Sequence, residues 1–198
     1  MVERFVHIED VGGSNPSSPT IPLPALPPIW LLRHGETDWN RLGRLQGSLD
    51  APLTARGRVQ AARAGAILRA NGVGAPAWTS PQPRARRSAA LAGLAATPDP
   101  RLREVGLGRW EGQHLAVIDP PPGLAWKFEA PDGESRAAVA ARVAGFLQTL
   151  RGPAVVVTHG VTGIVLRALA TGAADWDALE DRQGVVYHLA DGRERVLR

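Results

Sequence analysis

From Ile29 onward, apolar residues keep two rhythms that alternate along the chain: short unbroken runs, and spacings of three and four. The runs predict buried strands and the wider spacings predict helices. Ile29-Trp30-Leu31-Leu32 is the first run, closed by prolines before it and Gly35 after it. Thr54 predicts the N-cap of a helix that carries Val59, Ala62 and Ala66 and stops at Asn71-Gly72. A second strand is predicted over 75–79, and a helix over 83–94 with Pro83 in its first turn. A third helix is predicted over 134–150, with Val139, Val143, Phe146 and Leu150 on one face. Residues 154–157 are wholly apolar, as in a strand buried within a parallel sheet. A helix over 161–170 and a last strand over 185–189 complete the series. Strands alternating with helices predict an α/β fold, a three-layer α/β/α sandwich around a mostly parallel sheet.

Residues 1–28 keep neither rhythm. Gly12 to Pro28 is dense in proline, glycine and serine, which predicts a disordered or extended tail ahead of a domain over 29–198. The stretch lacks the basic start and apolar run of a secretory signal. Codons for Gly13-Ser14-Asn15-Pro16 can match the conserved arm of a transfer-RNA gene. On that reading the start codon lies downstream of Met1, which mass spectrometry of the native protein would show.

Composition narrows the function. The 198 residues contain no cysteine, which excludes disulfides, thiolate metal sites and a cysteine nucleophile. No apolar run approaches the roughly 18 residues of a membrane span, so a cytoplasmic protein is expected. The net charge is +4, carried by 22 arginines and one lysine, Lys127. The arginines are scattered, which argues against a nucleic-acid surface and leaves attraction for small anions.

Ligands of such folds sit beyond the carboxyl ends of the strands. Arg33-His34-Gly35 follows the first strand, Ser80-Pro81-Gln82-Pro83-Arg84 the second, and Thr158-His159-Gly160 the run at 154–157. Two arginines and two histidines therefore converge on one sheet edge. Guanidinium groups hold phosphate oxygens through paired bonds, and a neutral imidazole beside them can attack phosphorus. The helix starting near Val161 points its N-terminus at the same place. The histidines lack the spacing of a metal site, so none is expected. Alone, His34 and His159 read more readily as structural histidines and Arg84 as part of a solvated arginine run, and Glu104 could be an ordinary surface carboxylate.

Leu32-Arg33-His34-Gly35-Glu36-Thr37-Asp38-Trp39-Asn40 closely resembles the signature of the histidine phosphatase superfamily, the phosphoglycerate mutase-like family. The resemblance runs on through Gly47, Pro52-Leu53-Thr54, Ser80-Pro81, Arg84-Ala85, Leu102-Arg103-Glu104, Trp110-Glu111-Gly112 and Thr158-His159-Gly160. It implies a phosphomonoester hydrolase that works through phosphohistidine, needs no cofactor and releases inorganic phosphate from a small phosphorylated substrate. It implies His34 as nucleophile, Arg33, Arg84 and His159 as the phosphate pocket, and Glu104 as general acid and base. Asn40, Gln46, Gly47 and Gly160 match positions that line the pocket in relatives. Whether burial raises the pKa of Glu104 or nearby arginines lower it is left open by the sequence.

Relatives often carry leucine where Gln82 stands, and glutamine and threonine near Arg87 and Ser88; these departures are expected to affect only helix surface and packing. The segment from His114 to Pro131 is short and offers one lysine, which favours a phosphatase over a mutase. Trp126 and Lys127 are candidates for a substrate lid. Alternatives are mutase-type phosphotransfer, a protein phosphohistidine phosphatase and a phosphate-binding module without catalysis. Neither the substrate nor the oligomeric state is fixed by the sequence.

Overall fold

The computed structural model describes residues 4–7, 20–23 and 25–198. Strands β1 (Arg4–His7) and β2 (Thr20–Leu23) pair antiparallel, and Leu23 is buried. The rest of the expected tail up to Pro24, with Gly13-Ser14-Asn15-Pro16, lies outside the described residues. Residues 25–28 lead without regular structure into β3 (Ile29–Arg33). Then follow α1 (Asp38–Arg41), α2 (Ala55–Ala70), β4 (Ala77–Thr79), α3 (Pro83–Leu91) and β5 (Ala96–Pro98). The second half contains α4 (Leu115–Ile118), α5 (Arg136–Leu147), β6 (Ala154–Thr158), α6 (Gly160–Thr171), β7 (Val186–Ala190) and β8 (Arg193–Leu197).

Six strands form the central sheet in the order β5-β4-β6-β3-β7-β8. The first four are parallel, and β7 and β8 extend the sheet antiparallel. Successive residues of a strand face opposite sides. Ile29, Leu31 and Val156 accordingly pack with Val143, Phe146 and Val165 of α5 and α6. Leu32, Val155 and Val157 pack with Ala64, Leu68, Ala85 and Ala89 of α2 and α3. That makes three layers, with helices on both faces of a mostly parallel sheet. Each fully buried Leu, Val or Phe contributes roughly 1.5–3 kcal/mol to holding the layers together.

Local chemistry sets most boundaries where they are expected. Thr54 caps α2 by accepting from the Gly57 amide at 2.9 Å. Helix α5 starts at Arg136, not 134, because Ser135 caps it through the Ala138 amide. Helix α3 stops at Leu91, short of 94. Gly93 turns left-handed (φ +78°), and the Leu94 amide closes the helix on the Ala89 carbonyl at 3.0 Å. Strands β5 and β8 are additions to the sequence reading. The β7–β8 turn is Asp191-Gly192, both at positive φ, which is a hairpin signal in its own right.

Candidate active site

The sheet ladder continues one residue past the strands: the His34 amide donates to Thr158 O and the Ser80 amide to Val157 O, both at 2.9 Å. His34, Ser80 and His159 are thereby fixed at one edge. The loop after His34 is pinned by three contacts. The Gly35 amide donates to Ser88 Oγ at 3.0 Å and the Glu36 amide to Gln60 Oε1 at 2.8 Å. Gly35 also lies so close to the first turn of α2 that an added Cβ would come within 2.0 Å of Gly57 O.

Both histidines are buried, with ring centres 5.1 Å apart. His34 Nδ1 lies 2.8 Å from the Gly35 carbonyl. A carbonyl only accepts, so Nδ1 carries the proton and Nε2 keeps its lone pair. Burial, then His159, Arg33 and Arg84, hold the His34 pKa well below the ordinary imidazole value, against a small opposing effect of the Gly35 carbonyl. His159 is pushed the same way by burial, Arg84, Arg33 and Arg142. Its Nε2 is 2.7 Å from Ser80 Oγ, and its Nδ1 has no partner.

Arg33 and Arg84 are built alike. Arg84 is buried; its Nη1 donates to Asp50 Oδ1 (3.0 Å) and Leu49 O (2.7 Å), and its Nη2 to Gly47 O (2.9 Å). Arg33 Nη1 pairs with Asp181. In each case a carboxylate orients the guanidinium and leaves a buried Nε without a partner. Arg86 and Arg87, by contrast, are exposed, as a solvated run would be. Arg44 Nε is a third unpartnered donor.

Glu104 is held by hydrogen bonds from the first turn of α6 and from the amide that follows it in the chain. Its Oε1 accepts from the amides of Val105 (3.0 Å) and Thr162 (3.0 Å), with Thr162 Oγ1 at 3.1 Å; Oε2 accepts from Val161 N at 3.2 Å. The carboxylate therefore occupies the amides at the helix start that the sequence reading offered to a ligand. Burial is the strongest single influence on Glu104 and raises its pKa. The Thr162 amide, Arg84, Lys127 and the Val105 amide together outweigh it, so the net shift is downward.

A cleft of about 140 Å³ gathers these groups. Of the residues singled out from sequence, Arg33, His34, Asn40, Gln46, Gly47, Arg84, Glu104 and Gly160 line it, and His159 stands against His34. Asn40 forms a reciprocal cap with Thr37. Its Oδ1 accepts from the Thr37 amide (3.1 Å), which leaves Nδ2 available as a donor. Gly47 is left-handed (φ +52°), and a Cβ there would strike Glu111 at 2.3 Å. The lid expectation divides: Lys127 lines the cleft, whereas Trp126 is buried and donates to Gly123 O at 2.9 Å.

Two departures expected to be peripheral prove central. Gln82 Nε2 donates to Gly47 O (2.9 Å) while its Oε1 accepts from the Glu104 amide (2.7 Å), so one side chain ties together two walls of the cleft. Ser88 is buried and bridges Gly35 to Arg84 O at 2.8 Å. Arg44, Asp181 and Gln183 were not foreseen. Gln183 Nε2 donates to His34 O at 3.1 Å. A larger, more apolar cavity of about 240 Å³ lies at the opposite end of β3, between Leu23, Ile29, Leu169 and Leu189, away from both histidines.

The family model for the histidine phosphatase superfamily (branch 1) matches residues 29–190. The chain is 36% identical over 177 residues to a glucosyl-3-phosphoglycerate phosphatase of Mycobacterium tuberculosis, covering 75% of this chain and 78% of that one. It is 32% identical over 166 residues to a probable phosphoglycerate mutase GpmB of Citrobacter koseri, covering 75% and 76%. The crystal structure of TTHB049 from Thermus thermophilus superposes with a TM-score of 0.72 at 40% identity, over 86% of this chain and 97% of that one.

Proposed function

The chain belongs to the histidine phosphatase superfamily, and from that premise we propose that it hydrolyses monophosphate esters of small metabolites through a phosphohistidine formed on His34. The carrying observation is the pair of buried guanidinium N–H groups without partners among the described residues, Arg33 Nε and Arg84 Nε, beside an imidazole whose protonated Nδ1 leaves Nε2 its lone pair. Buried donors left unpaired are costly. Both arginines line the cleft, where the oxygens of a phosphoryl group would supply the missing acceptors.

His34 Nε2 attacks phosphorus and the P–O bond to the alcohol breaks. Glu104 hands a proton to the departing oxygen. Its Oε2 is the better placed atom, because it accepts a single long hydrogen bond where Oε1 is surrounded by three donors. The resting carboxylate acquires that proton as the phosphoryl group offsets the charges of Arg84 and Lys127, which hold the Glu104 pKa down. Water then attacks phosphorus, Glu104 takes its proton, and the P–N bond breaks to return neutral His34 and inorganic phosphate. The arginines stabilise charge on the transferring group, so the scheme calls for no metal.

The test is to quench turnover with radiolabelled substrate and to map the label. Acid-labile label on His34, absent from His34→Ala together with all phosphate release, is the expected result, and a chelator leaves the rate unchanged. Phosphate release with no label on His34 would overturn the scheme. A mutase would instead yield an isomeric ester and retain the label.

A further inference from the structure

The charges around the cleft reach beyond the phosphoryl group. Four cations, Arg33, Arg44, Arg84 and Lys127, stand against three carboxylates: Glu104, Asp181 and the Asp50 that pairs with Arg84. A phosphomonoester dianion therefore reverses a net charge of about +1 to about −1. A second acidic group on the alcohol would add further negative charge to a confined, partly dry space, where like charges repel more strongly than in water.

Asp181 decides where that repulsion falls. Its Oδ2 pairs with Arg33 and sits over Gly160, within 2.6 Å of where a Cβ on that glycine would be. Its Oδ1 has no partner among the described residues, so an acceptor lines the cleft beside the phosphoryl donors. Lys127 lines the same cleft and, among the described residues, has no carboxylate within ion-pair distance and no hydrogen bond; its ammonium rests 5.4 Å from the Trp126 ring. One free acceptor and one free donor suit hydroxyl groups, each of which donates once and accepts twice. A carboxylate or second phosphate satisfies Lys127 but confronts Asp181.

We propose, building on the phosphohistidine reading above, that the cleft takes monophosphates of uncharged, hydroxyl-bearing alcohols of the sugar or polyol class, and that Asp181 turns away esters whose alcohol carries a second acid. Glycerol 1-phosphate and 3-phosphoglycerate make a matched pair, since a hydroxymethyl group replaces a carboxylate on the same skeleton. The expected kcat/KM, read from phosphate release, favours the glycerol ester by about tenfold or more. In Asp181→Asn that ratio falls at least fivefold toward the glycerate. A wild-type enzyme that is indifferent, or that prefers the glycerate, overturns the inference while leaving phosphohistidine chemistry intact. An unchanged ratio in a folded Asp181→Asn variant removes Asp181 as the discriminating group and overturns it equally. If p-nitrophenyl phosphate is not cleaved and His34 takes no label, the parent reading fails and this one with it.

Discussion

At the scale of single residues, hydrogen-bond accounting separates the two carboxylates of the cleft. Glu104 is held by three amides and a hydroxyl, so it is rigid and its position does not depend on a counter-ion. Replacing it with Gln keeps the shape but removes the transferable proton. Glu104→Gln should slow alkyl phosphates by about 10²–10⁴-fold and p-nitrophenyl phosphate much less, because an activated leaving group needs no proton. Equal losses on the two substrates would take the acid role away from Glu104. Arg33, His34, Arg84 and His159 could be placed together from sequence because each follows a strand or opens the helix after one. Asp181, Gln183 and Arg44 could not, because they lie in loops whose path no apolar period dictates. Gln82 was misread for another reason: as the residue before a helix it looked like a surface position, yet its amide reaches two loops at once.

At the scale of elements, the crossing of the His34 loop over α2 is the tightest packing near the cleft. An added Cβ on Gly57 would stand 2.0 Å from Glu36 O, and neither backbone can give way. Gly57→Ala is expected to destabilise by about 1–3 kcal/mol, read as a lower urea midpoint, and to depress activity through the displaced loop. Gly145, in the last turn of α5, has nothing within 4 Å of an added Cβ. Gly145→Ala should stabilise by about 0.5–1 kcal/mol, since only the unfolded chain loses freedom. A Gly57→Ala protein as stable as wild type would mean that the loop and helix can separate. The strands at 29–33, 77–79 and 154–158 were readable because both faces are buried and the runs are unbroken. Strand β8 (RERVL) was not, because it is a charged edge strand in which Leu197 alone is fully buried.

At the scale of the whole molecule, stability and pH are linked through the two buried histidines. Both have folded-state pKa values below the ordinary imidazole value, so below about pH 6.5 the unfolded chain binds more protons than the folded one. Their contribution to stability is full above that pH and is lost as pH falls toward the folded values. Each contributes a slope of up to about 1.4 kcal/mol per pH unit. Thermal melts in low-phosphate buffer should therefore show Tm falling from pH 7 to pH 5, with a shallower fall in His159→Ala. A flat profile would place at least one imidazole in a charge-tolerant setting. The strand order has a different consequence, for biosynthesis. Ile29–Arg33 is flanked in the sheet by residues 154–158 and 186–190, both from the last quarter of the chain. On the ribosome this apolar segment emerges early and stays unpaired until almost everything after it has been made. N-terminal fragments are thus expected to be sticky and inert, and a slow, late-cooperative folder that benefits from chaperones is what such a topology produces.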